Sequence, residues 1–139
     1  GELSGGELQK AYVAACLLKE APLYLLDEPS AFVDVEDRIR LASIISRYVK
    51  MRERTGVVVD HDLLLVDSVS DRIIVFEGEP GVSGRASEPM DKRSAFNKFL
   101  SKVGITVRRD GRTGRPRINK EGSRLDRMQK EKGEYFYEE

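Results

Sequence analysis

Two short apolar runs, each closed by acidic residues, constrain the fold of this chain more than any other feature. The first is LYLLDE, Leu23 to Glu28, and the second is VVVDHD, Val57 to Asp62. Both read as brief strands buried on both faces, the second reinforced by three β-branched valines, and in both the polar residues mark the strand end. Between them, Asp34 is placed to cap a helix in which Leu41, Ile44, Ile45, Tyr48 and Val49 recur along one face. A short helix over LLLVDSV and a third strand over RIIVFEG continue the series. Strand, helix, strand, helix, strand predicts an α/β fold with mostly parallel strands and right-handed crossovers.

The flanks differ in texture. Ahead of the first strand, GELSGGELQK places Ser4 and Glu7 at the S-x-x-E spacing of a capping box, so a helix is expected to start at Ser4. After the third strand, GEPGVSGRASEP is rich in Gly, Pro and Ser and reads as a loop. A modest helix is expected around SAFNKFLSKV. Beyond it, from Arg108 to Arg127, eight basic residues face three acidic ones, and the chain ends in the aromatic, acidic GEYFYEE. The boundary between the α/β part and this second segment is expected after residue 80. No internal repeat is present.

Composition narrows the function classes. The 139 residues carry 24 Lys and Arg against 24 Asp and Glu, which argues against nucleic-acid binding by the surface as a whole. A single cysteine, Cys16, excludes an internal disulfide and any cysteine-based metal or iron–sulfur site within these residues. With no apolar run long enough to cross a bilayer and no signal-peptide pattern, a reduced, cytoplasmic setting without membrane contact is expected.

Three places suit phosphate chemistry, and each has a plainer reading. Gly5 and Gly6 at a helix start would let a phosphate approach free backbone N–H groups, or they are a flexible turn before a capped helix. Asp27 and Glu28 at the carboxyl end of a strand suit a metal-bound water and an activated water, or they are a strand ending in polar residues. His61, the only histidine, sits at the end of the next strand, on the edge shared with Glu28, or it is structural.

Taken in order, LSGGE, LYLLDEP, SAFVD and VVVDHD resemble the second half of an ABC-type ATPase nucleotide-binding domain. They match its signature motif, Walker B strand, D-loop and switch histidine. The resemblance implies a partial P-loop NTPase core of RecA-like type. It implies that the Ser4–Glu7 stretch, with Ser4, Gly5 and Gly6 foremost, binds ATP held by an opposing domain. Asp27 would hold Mg²⁺ through water, Glu28 would polarise the attacking water, His61 would sense the γ-phosphate and Asp34 would couple two sites across a dimer. NKFL, ITVRRD and RPRIN further resemble the C-terminal end of subfamily E, the RNase L inhibitor or ribosome-recycling factors of archaea and eukaryotes. That implies a basic hinge-like extension over residues 81–139, and partners among the other nucleotide-binding domain, ribosomal subunits and release or recycling factors. Arg108, Arg109, Arg115 and Arg117 are the hinge or RNA-facing candidates; the plainer reading is a solvated, partly disordered charged tail.

Two positions depart from the wider family pattern. Glu7 stands where most ABC proteins have glutamine, and is expected to fold back on the Ser4 N–H with its charge away from ATP. Ala31 replaces a polar D-loop residue, which puts cross-dimer hydrogen bonding there in doubt. No G-x-x-x-x-G-K-[ST] pattern occurs in these residues, nor does the family's iron–sulfur domain. The chain is therefore expected to be a piece of a larger ATPase, inactive alone and not folding cooperatively alone. The competing expectations are a non-catalytic module that binds RNA, a ribosome or a partner through the arginine-rich segment, and an ABC ATPase of another kind.

Overall fold

The structure, a computed structural model, describes residues 2–137. The acidic end of GEYFYEE lies outside the described residues. The chain divides into two compact units, Gly1–Ser70 and Asp71–Glu139. The expected boundary after residue 80 falls inside the turn of a hairpin in the second unit.

The first unit runs α1 (Gly5–Leu17), β1 (Leu23–Asp27), α2 (Val35–Met51), β2 (Thr55–Val59) and α3 (Leu63–Val69). β1 and β2 pair in parallel, with Leu25 opposite Val57 and Asp27 opposite Val59. Val13 and Leu17 of α1, Tyr24 and Leu26 of β1, and Leu41, Ile45 and Val49 of α2 bury one core against the inner face of this pair. Ala42 completes the buried stripe of α2, whereas Ile44, expected on that face, is largely exposed. The expectation that the strands are buried on both faces is overturned. Tyr24 and Leu26 are buried, but Leu23, Leu25, Val57 and Val59 on the other face are exposed. Strand side chains alternate, and only one face of this sheet meets α1 and α2.

The second unit corrects two further expectations. RIIVFEG does not form a third parallel strand. Ile73 makes an isolated antiparallel bridge to Met90, and β3 (Phe76–Glu79) turns back to pair antiparallel with β4 (Ser83–Ala86). The reversal is written in Glu79-Pro80-Gly81-Val82: the Val82 N–H donates to the Glu79 carbonyl at 3.0 Å and Gly81 has φ +75°, as a type II turn requires. A side chain at Gly78 would strike the Ser83 carbonyl oxygen at 1.9 Å, so the hairpin closes only with glycine there. Half of the expected Gly/Pro/Ser loop is thus strand.

The arginine-rich segment is folded. After α4 (Lys92–Val103), β5 (Val107–Arg109) pairs antiparallel with β6 (Pro116–Ile118) and in parallel with β7 (Phe136–Tyr137), and α5 (Arg124–Lys132) lies between the last two in sequence. Phe96 of α4 stacks on Phe136 at 4.8 Å, with Leu100 and Val107 also buried. A buried polar network closes the unit. Thr106 Oγ1 donates to Asp126 at 2.6 Å, Asn119 donates to Thr106 Oγ1 at 3.0 Å and to Gln129, and Gln129 donates to the Val107 carbonyl at 3.1 Å.

Candidate functional site

The glycine turn is a capped helix start. Ser4 is the N-cap of α1; its hydroxyl accepts from the Glu7 N–H at 3.3 Å, while Glu7 Oε2 accepts from the Ser4 N–H at 2.8 Å and the Ser4 hydroxyl at 2.9 Å. These bonds, the backbone one foremost, hold the Glu7 carboxyl below its ordinary value. The carboxylate is thereby turned onto its own helix start, as its spacing from Ser4 predicts.

Phe32 sits against the same turn. Its carbonyl oxygen lies 2.7 Å from where a Cβ on Gly6 would be, and its own Cβ lies 3.4 Å from the corresponding point on Gly5. Gly6 is therefore needed for close backbone approach within this unit, whereas a side chain on Gly5 would meet Phe32 only at ordinary van der Waals distance. Phe32 adopts φ +59° and is 82% exposed. Lys10 of α1 pairs with Asp37 of α2 at 2.8 Å, fastening the two helices beside the turn. Ser4, Gly5, Gly6, Glu7, Phe32 and Asp34 are among the residues that line one depression of about 540 Å³. Asp34 is the N-cap residue of α2, but its side chain makes no capping hydrogen bond, so its carboxylate stays exposed in that depression.

Asp27, Glu28 and His61 form a second group, at the carboxyl ends of the parallel pair. Asp27 is the last residue of β1 and is exposed. Glu28 has φ +45°, and its backbone is fixed from two sides: its N–H donates to the Val59 carbonyl at 2.7 Å and its carbonyl accepts from Gln9 Nε2 at 3.1 Å. That strained turn brings the Glu28 carboxylate to 3.5 Å from His61 Nδ1, with both side chains more than half exposed. The shared edge expected for Glu28 and His61 is thus a direct contact. Among the described residues no group of three or more His, Cys, Asp or Glu is arranged to hold a metal. Mg²⁺ in phosphoryl-transfer sites is held by one or two carboxylates together with substrate phosphates, and the exposed Asp27 fits that smaller demand.

Four residues that the sequence reading left unassigned shape this rim. Asp60 accepts from the Ser30 N–H at 3.1 Å, the Ser30 hydroxyl at 2.9 Å and the Asp62 N–H at 2.8 Å. Asp62 caps α3 by accepting from the N–H groups of Leu64 and Leu65, and it pairs with Arg38 at 2.5 Å. Burial pushes the Asp62 carboxyl up, but the Arg38 and backbone hydrogen bonds outweigh it and leave it below its ordinary value. Arg38 Nε donates in addition to the Val33 carbonyl at 2.7 Å. The acid ahead of LLLVDSV was a readable cap signal; the Ser30–Asp60 and Arg38–Asp62 pairings, 30 and 24 residues apart, had none.

The hinge candidates divide. Arg108 donates to Asn119 at 2.7 Å, Arg109 donates to the Gly114 carbonyl and lies over the Phe136 ring, and Arg117 pairs with Asp110 at 3.0 Å. These three brace the β5–β6 hairpin. Arg115 is exposed beside the turn.

No family profile matches the sequence. The chain is 60% identical over 136 residues to an uncharacterised ABC transporter ATP-binding protein of Methanocaldococcus jannaschii, covering 98% of this chain and 23% of that protein. It is 44% identical to the ABC transporter E family member 1 of Arabidopsis thaliana, over 97% of this chain and 22% of that protein. Its fold superposes with a TM-score of 0.90 and 58% identity on the archaeal ribosome recycling factor aABCE1, crystallised with the ribosomal stalk protein aP1, over 99% of this chain and 26% of that one. The chain spans less than a quarter of the length of these two curated relatives. Motif order, an α/β fold of P-loop NTPase type and identity along nearly the whole chain place it in subfamily E of the ABC-type ATPases.

Proposed function

We propose that this chain is part of an ATPase that couples ATP binding and hydrolysis to the splitting and recycling of ribosomal subunits in the cytoplasm, and that it supplies two complementary half-sites. The observation that carries the reading is the 3.5 Å contact between Glu28 and His61 at the carboxyl ends of adjacent parallel strands. Glu28, exposed and held in a strained turn, takes the proton of the attacking water. His61 holds Glu28 in place and faces the γ-phosphate. Asp27 is the residue that would hold Mg²⁺, which when bound would neutralise phosphate charge. On the depression beside Phe32, Ser4, Gly5 and Gly6 present the capped N-terminal end of α1, its glycine N–H groups foremost, to ATP on an opposing nucleotide-binding domain, and Asp34 answers to the same neighbour. Glu7 contributes by fixing Ser4 and does not touch ATP.

These residues include no phosphate loop, so the cradle for the β- and γ-phosphates comes from elsewhere in the ATPase. Hydrolysis is measured for this chain alone, for the chain mixed with a phosphate-loop-bearing half, and for the longer ATPase with Glu28→Gln. The expected result is no turnover alone, turnover in the mixture, and a loss of about 10²- to 10³-fold in the variant. Binding of RNA without turnover in the mixture would instead favour a non-catalytic module, and wild-type turnover of the Glu28→Gln protein would remove Glu28 from the mechanism.

A further inference from the structure

The exposed His61 imidazole and the exposed Glu28 carboxylate are placed by the two loops that carry them, residues 28–33 after β1 and residues 60–62 after β2. Those loops are tied together twice beyond the backbone bond from Glu28 to Val59. Asp60 receives both the N–H and the hydroxyl of Ser30, which is 1% exposed, and also receives the Asp62 N–H, so one carboxylate fixes both loops. Arg38, reaching from α2, uses one planar group to hold both: Nε on the Val33 carbonyl and Nη1 on Asp62. The acids on either side of His61 are thus turned away from it, each onto the loop or helix behind. A guanidinium fork can hold two acceptors at once, which a lysine ammonium on a flexible stem does poorly.

We propose that Arg38 and Asp60 are positioning residues that lock the loop of Glu28 to the loop of His61, so that the two side chains keep their contact when ATP is engaged. The proposal rests on the reading of Glu28 and His61 as the hydrolytic pair. Neither Arg38 nor Asp60 touches substrate in this account. Their loss leaves both reacting groups present but lets them drift, and a displacement of about 1 Å can cost up to about a hundredfold in rate.

The test uses the longer ATPase carrying Arg38→Met, Arg38→Lys, Asp60→Asn or Glu28→Gln, with bound ATP per chain and the hydrolysis rate per bound ATP measured separately in single turnover. The three positioning variants are expected to bind as much ATP per chain as the parent, with KM within about twofold, and to hydrolyse each bound ATP about tenfold more slowly. Arg38→Lys is expected to rescue less than half of the loss, because it keeps the charge but not the fork. In a His61→Ala background, Arg38→Met is expected to add less than about twofold, since both act through one contact. Parental rates per bound ATP in all three variants, with Glu28→Gln inactive, would overturn the positioning role and leave the hydrolytic pair standing. A fall in bound ATP that accounts for the whole rate loss, or full additivity with His61→Ala, would show a merely structural role and overturn it as well. An active Glu28→Gln protein would overturn the pair itself.

Discussion

Glu7 and Gly6 are neighbours whose substitution should have opposite consequences. The Glu7 carboxylate is turned back onto Ser4, accepting from both its N–H and its hydroxyl. Glutamine keeps an acceptor oxygen for those bonds, so Glu7→Gln in the longer ATPase should change ATP affinity less than about twofold, measured by equilibrium binding. A tenfold gain would mean that the charge faces ATP. Because the folded Glu7 carboxyl lies below its ordinary value, its support of the helix start is present above the usual glutamate range. It is lost as pH falls through the lowered value. Gly6 has no such latitude. A Cβ there would sit 2.7 Å from the Phe32 carbonyl oxygen, a backbone atom that cannot swing aside. Gly6→Ala should cost about 1–3 kcal/mol in unfolding free energy, read by urea titration, and should displace the loop that presents Phe32.

At the scale of elements, what was legible follows from how local each determinant is. The caps at Ser4 and Asp34, the apolar stripe of α2 and the β-branched run of β2 are written within a few residues, and α1, β1, α2, β2 and α3 stand where those signals put them. Ile44 was misplaced because Ala42, too small to signal, takes its share of the buried stripe. RIIVFEG carries the composition of a buried strand, but Gly78 and the Pro80-Gly81 turn commit its end to a hairpin, and the turn outweighs the apolar run. In the arginine-rich segment the residues themselves show only charge, and the hinge-like extension expected there comes from the resemblance. Its order comes from Thr106, Asn119, Asp126 and Gln129, polar residues whose partners lie 10 to 22 positions away and whose burial no local pattern announces. Of the candidate site, Glu28 and His61 were legible as strand ends, whereas Arg38 and Asp60 were not, since a fork bridging two loops leaves no periodicity.

That polar network makes a prediction at the same scale. Thr106, the Gly122 N–H and Lys130 hold the Asp126 carboxyl below its ordinary value. A depressed carboxylate stabilises the fold above its unfolded pKa of roughly 3.9, and that stabilisation disappears as pH falls through the lowered folded value. Asp126→Asn should therefore lower the thermal midpoint of the second unit by roughly 5 °C at pH 7, followed by aromatic near-ultraviolet dichroism, with the difference closing as pH falls through the lowered folded value. A difference that stays constant down to pH 2 would mean that the charge of Asp126 is irrelevant and only its shape matters.

At the scale of the whole molecule, one surface of the first unit carries the argument. Leu25 and Val57 face each other across the parallel pair on the side away from α1 and α2, 66% and 41% exposed, with Leu23 and Val59 beside them. Parallel sheets are stable almost only when both faces are covered, so a two-stranded parallel pair with one bare apolar face favours a covering layer. In the proposed ATPase that layer is the part carrying the phosphate loop. Replacing Leu25 by Gln and Val57 by Thr leaves the inner core of Tyr24, Leu26 and Val58 untouched, because alternate residues point to opposite faces. For the isolated chain, the double variant should reduce concentration-dependent self-association in sedimentation velocity and leave the helical dichroism of the first unit in place. For the chain mixed with a phosphate-loop-bearing half, the same variant should lower ATP turnover at least tenfold, and excess half should restore part of it because the lesion is in docking. Undiminished turnover at limiting concentrations would mean that this face stays bare in the working ATPase, and the sheet would then need another account of its stability.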